Sequence, residues 1–420
     1  MRRVVITGIG IWSCIGQDVQ SVTESLRTGR SGVVFDKSRI DFGLRSGLIG
    51  AVPHPNLKTL LARKFRANLF EDSEYAYMAV RQALEQAGMD DEYRKIQEIG
   101  IIMGNDGNSS ILDSLQINAD GKNIVNEGVS TIFNASTSST TMNLATIFSI
   151  RGVNFSISAA CASSSHAVGM GMILVRQGLA DVMVVGGAME TRPHLFAGLD
   201  FLEADSLRNE SPTQASRPFD KDRDGMVPSG GAAALVLEEY DHAVARGATI
   251  LAEVCGYGFS SNGLEDISSP SADAEYIAMK RALDDAGLQP SDIDYVNAHG
   301  TSTIIGDIEE AKALTRLFVD GNTLITHNSS LINRKPFISS TKSMTGHENW
   351  MAGASEAVYS ILMMQNNFVA PNINLENVID EAKDLNIVRE TVNIPINTVL
   401  SNSSGMGGTN SALVFRKIGS

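Results

Sequence analysis

The sequence predicts an α/β fold in which one unit is used twice, and three observations carry that prediction. Strand-like and helix-like segments alternate along the chain. A series of strands ending in glycine recurs in the second half. The stretch 153–178 reads as a strand that turns into a helix at a cysteine. Alternation of this kind implies mainly parallel sheets covered by helices on their faces. With 420 residues the chain is long enough for one large core or two fused ones.

Residues 4–9 read as a buried strand, rich in β-branched side chains and ending in Gly8-Ile9-Gly10. A dinucleotide fingerprint needs a third glycine where Ser13 stands, so a nucleotide cofactor is not indicated. Nor is the run a secretion signal, because two glycines interrupt it and no small-x-small site follows before Gln17-Asp18. Residues 72–88 form an amphipathic helix with an acidic start and a glycine stop. Residues 99–103 are the next buried strand. Residues 153–157 alternate apolar and hydroxyl side chains, and Ala159, Ala160 and Ala162 then crowd Cys161 without covering it. A helix follows, with serines from Ser163 onward as its N-cap and Gly178 as its C-cap. Residues 181–185 give a further strand ending in Gly186-Gly187. The stretch 206–230 is rich in charge and turn residues and reads as a long surface or active-site loop.

The second half repeats this order. Val254-Cys255-Gly256-Tyr257-Gly258 echoes Ile6-Thr7-Gly8-Ile9-Gly10, and the helix 272–287 echoes 72–88, with Ala282-Leu283 and Ala286-Gly287 matching Ala83-Leu84 and Ala87-Gly88. The strand 293–300 stands where 98–104 stood, 337–341 precedes a small-residue helix over 353–364, and 398–400 ends in a glycine-rich turn. Five echoes in one order indicate a duplicated unit. The halves divide as 1–250, carrying the cysteine, and 251–420. No linker separates them, so they share one packed body.

The formal net charge is -14, which argues against nucleic acid or an anionic membrane as partner. No apolar run approaches the ~18 residues needed to span a bilayer. Three widely spaced cysteines, Cys14, Cys161 and Cys255, make neither a disulfide framework nor a zinc site, which suits a reducing cytoplasm.

Cys161 carries the chemistry. At a strand-to-helix turn its sulfur lies near unpaired helix N–H groups, and the helix dipole there favours thiolate. Of seven histidines, His54, His194, His242 and His327 lie in polar or loop-like segments, and His166 sits inside the helix after Cys161. His299 ends the strand 293–298, and His347 lies between a strand and a helix in Lys342-Ser343-Met344-Thr345-Gly346-His347. In a parallel α/β sheet the C-terminal strand ends converge on one crevice. Cys161, His299 and His347 all fall there.

These residues resemble the thiolase superfamily, and within it the β-ketoacyl-acyl-carrier-protein synthases of the elongating, Cys-His-His class. The likeness rests on Ala159-Ala160-Cys161-Ala162, Asn297-Ala298-His299-Gly300-Thr301-Ser302-Thr303, Ser340-Thr341-Lys342-Ser343-Met344-Thr345-Gly346-His347 and Gly407-Gly408-Thr409-Asn410, and it spans nearly the whole chain. It implies a thiolase-like fold in five αβαβα layers and a homodimer. It also implies a decarboxylative Claisen condensation: Cys161 takes an acyl group, and malonyl-acyl-carrier protein loses carbon dioxide and attacks it. His299 and His347 would hold the enolate and Lys342 would pair with Glu356. The backbone N–H groups of Cys161 and Met406 would form the oxyanion hole, with Thr301 and Thr303 contacting a phosphopantetheine arm that arrives on the carrier. No resident cofactor or metal is implied.

Two departures from the family pattern mark the acyl pocket. Ser404 and Met406 stand where phenylalanines are usual, and Glu348-Asn349-Trp350-Met351 replaces small residues. Leu195, Leu199, Trp350, Ser404 and Met406 are assigned to the pocket and its gate. Carrier docking is assigned to the basic run Arg63-Lys64-Phe65-Arg66, through Arg63, Lys64 and Arg66. The alternative pathway is that of a type II polyketide or aryl-polyene ketosynthase acting on unsaturated or aryl-capped chains. A non-catalytic chain-length partner is the reading from another class, and the presence of Cys161 with both histidines argues against it.

Overall fold

The computed structural model describes residues 1–110, 112, 134, 136–263, 266, 269–320 and 335–419. His327 lies outside them. Ten of the described strands join in one sheet: β1 (Val4–Trp12), β4 (Gly100–Gly104), β5 (Asn154–Ile157), β6 (Val182–Met189), β7 (Gly231–Glu239), β8 (Ala252–Ser261), β9 (Tyr295–Asn297), β10 (Phe337–Ser339), β11 (Thr398–Gly405) and β12 (Thr409–Arg416). A separate ribbon pairs β2 (Val33–Phe35) with β3 (Leu48–Gly50).

The sheet order is β10-β9-β11-β12-β8-β1-β7-β6-β4-β5. Read outward from its middle, β1-β7-β6-β4-β5 repeats as β8-β12-β11-β9-β10, so the duplication seen in the sequence is a duplication of topology. Within the sheet the halves are paired at Val5 with Glu253 and Ile6 with Ala252, where β1 meets β8.

The sheet is mixed rather than mainly parallel. β4 runs parallel to β5 and β6, and β9 to β10 and β11, but β7 and β12 return antiparallel to their neighbours. Alternating strands and helices do not reveal these two strands, because each returns without a crossover helix. The turn from β11 to β12 is Met406-Gly407-Gly408, far too short for a crossover and possible because both glycines take positive φ, 87° and 81°.

Three apolar clusters sit between five layers. Helix Glu71–Gln86 packs outside the first half-sheet, with Val80 and Leu84 against Val184 and Val236. Helices Ala272–Ala286 and Ile304–Thr315 cover the second, with Met279, Leu283 and Leu314 beside Leu400 and Val414. Between the half-sheets lie two helices, Ser163–Arg176 and Ala352–Asn366, whose Val168, Met172, Val358 and Ile361 share one core with Val185, Leu235 and Leu413.

The repeated Gly-x-Gly has a packing cause and not a phosphate-binding one. A Cβ at Gly8 or Gly10 would stand 2.0 Å or 1.9 Å from the carbonyl oxygens of Ala83 and Ala79. At Gly256 and Gly258 it would stand 2.2 Å and 2.1 Å from those of Ala282 and Ala278. In each half an outer helix lies directly on the first strand, and only glycine leaves room.

Candidate active site

Cys161 lies in a single tight turn, Ala160–Ala162, between β5 and the central helix Ser163–Arg176. The turn is strained just before the nucleophile: Ala160 has φ 48°, a left-handed conformation that L-residues avoid. The serines do not cap the helix as the sequence suggests. Ala162 is the N-cap, without a side-chain bond, and Ser163 belongs to the first helical turn. Its hydroxyl bonds back to the Ala160 carbonyl at 2.6 Å and to Asp106 at 2.9 Å, and Asp106 also accepts from the Ala159 N–H at 3.1 Å. These bonds hold the strained turn.

Two backbone N–H groups, those of Met406 and of Cys161 itself, are directed at the Cys161 sulfur. They favour thiolate, as does the charge of Lys342, but burial outweighs them and pushes the thiol up to about 11. The resting nucleophile is therefore a thiol. The helix terminus alone does not ionise it, because the surroundings are too poor in solvent.

His299 follows β9. Its backbone N–H and that of Gly300 donate to the two oxygens of Glu310, each at 2.6 Å, and the Asn402 side chain donates to the same carboxylate at 2.9 Å. Asp307 performs the same service one step on, accepting from the N–H groups of Thr301 and Ser302 at 3.0 Å and of Phe219 at 2.7 Å. Sequence reasoning missed both acids. Their signal was there: two carboxylates at i, i+3 on the helix that follows the His299 loop.

His347 is held by the long segment 206–230. Its N–H donates to the Val227 carbonyl at 2.6 Å, and its carbonyl accepts from the Ser229 N–H at 2.9 Å. That segment is largely buried, with Arg217, Phe219, Asp220 and Val227 inside, so it is an active-site loop and not a surface one. Gly346 makes the approach possible, since a Cβ there would meet the Val227 oxygen at 2.7 Å.

Lys342 is 1% exposed and paired with Glu356, also 1% exposed. Its charge acts on Cys161, His299 and His347 alike. Burial and Lys342 hold His347 well below the ordinary imidazole range, and His299 likewise, with His347 adding to the effect. Both rings are neutral at working pH. Nδ1 of His299 and both ring nitrogens of His347 have no partner among the described residues. Buried polar atoms are rarely left so, and these belong to two rings in contact with each other that share Lys342 with the cysteine.

The remaining predicted residues are placed as follows. The Thr301 and Thr303 hydroxyls lie 2.9 Å apart beside His299. Leu195, Leu199 and Trp350 are half-buried against the central core, and the turn Asn349–Met351 packs on the Cys161 turn. Met406 is exposed at the hairpin tip. Ser404 turns its hydroxyl to Asn410 at 3.0 Å and towards Glu275 of the outer helix Ala272–Ala286. Arg63 and Lys64 are exposed on a short helix, Arg63–Arg66, whereas Arg66 is half-buried and gives its Nε to the Leu61 carbonyl at 3.0 Å. Of the other histidines, His166 is fixed between Tyr257 (2.6 Å) and Thr409 (2.9 Å), and burial lowers it to about 4. His242 is bonded to Glu238 at 2.6 Å, His54 is exposed, and the ring of His194 stands edge-on to that of Phe42.

The family models for the N-terminal and C-terminal domains of beta-ketoacyl synthase match residues 1–243 and 251–376. The chain belongs to the beta-ketoacyl synthase family. It is 40% identical to 3-oxoacyl-[acyl-carrier-protein] synthase 1 of Escherichia coli (strain K12), with the whole of each chain covered. A crystal structure of a beta-ketoacyl synthase from Burkholderia phymatum STM815 superposes with TM-score 0.91 at 34% identity, covering 100% of each chain. A type II polyketide acyl-carrier protein in complex with its ketosynthase gives TM-score 0.86 at 29% identity and 99% coverage of both. This beta-ketoacyl synthase is thus an acyltransferase of the thiolase fold. Among its described residues no helix is long and apolar enough to cross a membrane.

Proposed function

We infer that this beta-ketoacyl synthase elongates acyl chains by decarboxylative condensation on acyl carrier protein. The observation that carries the reading is the convergence of a cysteine met by two N–H groups with two neutral, unpartnered imidazoles around one buried Lys342–Glu356 pair.

In the first half-reaction the Cys161 sulfur attacks the carrier thioester. The N–H groups of Cys161 and Met406 receive the oxyanion, a contribution of about 3 kcal/mol per donor. The carrier thiol leaves with the cysteine proton. In the second, the bond from the malonyl carbon to its carboxylate breaks and carbon dioxide departs. The enolate oxygen accepts hydrogen bonds from His299 and His347, and its carbon attacks the Cys161 thioester. The sulfur leaves and regains a proton, and the 3-oxoacyl chain stays on the carrier. Atoms and charge balance by acid–base steps alone, so we assign no resident cofactor. Thr301 and Thr303 would meet the phosphopantetheine arm, a reading supported by their hydroxyls lying together at 2.9 Å in the loop after His299.

The acidic carrier suits Arg63 and Lys64. The edge strand β5, with Asn154 and Phe155 exposed, supports pairing with a second copy into a homodimer. Three free cysteines support a cytoplasmic location.

Incubation with acyl-carrier and malonyl-carrier protein tests the reading. The expected result is an acyl mass on Cys161, followed by equal amounts of carbon dioxide and 3-oxoacyl-carrier. Condensation that leaves Cys161 unacylated would overturn it.

A further inference from the structure

One buried carboxylate beside the site has no part in the scheme above. Glu348 follows His347 directly and is 1% exposed. One carboxylate oxygen accepts from the Tyr359 hydroxyl at 2.8 Å and the other from the Ser355 hydroxyl, both donors lying on the helix Ala352–Asn366. Lys342 faces it from the short helix Lys342–Thr345, and Cys14 faces it from the segment after β1. Ser13, from that segment, bonds the Tyr359 hydroxyl. Glu356, on the same helix as the two donors to Glu348, is the ion-pair partner of Lys342. Lys342 also faces Glu310, but that carboxylate is already met by the N–H groups of His299 and Gly300 and by the Asn402 side chain, which leaves Glu348 and Glu356 as the two acids that depend on this one buried cation.

We propose that Glu348 is a positioning residue for decarboxylation, sharing with Glu356 the single proton that keeps the group formed by Lys342 and these two acids neutral until the enolate forms. Lys342 offsets one carboxylate only. With both acids ionised the pocket already holds a net negative charge, and the enolate would add a second in surroundings where like charges repel strongly. With one proton shared between them Lys342 balances the remaining charge of the pair, and the histidines receive the developing charge against less opposition. Burial supports this state, holding Glu348 up to about 7 and Glu356 up to about 8.

The proposal rests on the condensation reading, so its test measures carbon dioxide release from malonyl-carrier protein over about pH 6 to 9, with acylation of Cys161 followed in parallel. The wild-type rate of release should fall as the shared proton is lost on the alkaline side. Glu348→Gln keeps the shape and cannot ionise, so its rate should hold level there and exceed wild type several-fold at the alkaline end. Tyr359→Phe removes a donor that favours the ionised carboxylate. Glu348 then keeps its proton longer, and the fall should move to higher pH. Cys161 acylation should keep its wild-type profile in both variants. Glu348→Gln with the wild-type alkaline fall would overturn the proposal, as would an equal loss of release at every pH, which is the mark of a merely structural residue. Wild-type protein that releases no carbon dioxide would overturn the condensation reading itself.

Discussion

His299 and His347 stand edge to face, their ring centroids 5.2 Å apart and their planes at 87°. Two imidazoles so close cannot both carry charge, and burial beside Lys342 ensures that neither does. Both native values lie below the ordinary one of about 6.5. The neutral, donating form therefore persists as pH falls past that point, and decarboxylation should show no acid limb near it. His347→Ala should slow carbon dioxide release by about 10²–10³-fold, the scale of one lost oxyanion donor, while Cys161 still accepts an acyl group. Single-turnover assays of each half-reaction check this. Loss of both together would assign His347 another task.

Cys161 should be the cysteine that alkylates first, and its rate should climb with pH. Burial holds its thiol at about 11 against about 12 for Cys14 and Cys255. Two N–H groups await its thiolate, whereas Cys14 is also half-buried but turns its sulfur to the Thr345 carbonyl at 3.3 Å. Peptide mapping after brief iodoacetamide treatment at mildly alkaline pH decides it. Equal labelling at Cys14 would undo the assignment.

Much of this site could be read from the sequence because its residues stand at strand ends, where glycines and small residues mark the turns. The duplicated unit followed from the echoes between halves, and the five layers from the family resemblance. What could not be read was whatever depends on chain return or on partners brought from far away. β7 and β12 look like any apolar run until their direction is known. The grip of Val227 and Ser229 on His347 joins residues more than 110 positions apart. The thiol state of Cys161 is a contest between a helix end and desolvation, and the sequence displays only the first.

Arg39 and Asp205 make an uncompensated pair in the interior. Arg39 is 1% exposed with no partner for any guanidinium nitrogen, and Asp205 is 3% exposed with none for either oxygen. Burial lowers the one and pushes the other up to about 7. Asp205 is thus raised above its unfolded value. Its contribution is present at low pH and is lost as pH rises through about 7. The double change Arg39→Leu with Asp205→Leu should stabilise the fold by about 1–4 kcal/mol at pH 8, while Arg39→Leu alone strands the acid and should cost stability. Urea midpoints with an unchanged slope measure both. A double variant weaker than wild type would show that the pair is bridged.

Carrier docking should depend on Arg63 and Lys64 more than on Arg66. The first two are exposed, while Arg66 is committed to the Leu61 carbonyl. Reversing Arg63 and Lys64 to Glu should raise KM for the carrier and flatten its salt dependence, with kcat little changed. An unchanged KM would move the docking site elsewhere.

The last prediction concerns Trp350. The family resemblance implies small residues after His347, but here an indole stands in a turn that packs directly on the Cys161 turn. Ser404, where a gating phenylalanine is usual, turns its hydroxyl to Asn410 and Glu275 in the outer layer. Bulk has thus gone from the hairpin and appeared beside the nucleophile. The Trp350 ring is half-buried against the central core and its Nε1 has no partner among the described residues; turned to the acyl chain, it would be a rigid aromatic wall with a polar edge. Such a wall favours flat, unsaturated or aryl-capped chains over flexible saturated ones of equal length. Met406 at the hairpin tip adapts to either. Direct competition between saturated and polyunsaturated acyl carriers should therefore favour the unsaturated chain in kcat/KM. Trp350→Gly should erase that preference and admit longer saturated chains. If the saturated chain wins with Trp350 in place, and Trp350→Gly leaves the ratio where it was, the indole only fills space and the pocket is an ordinary one.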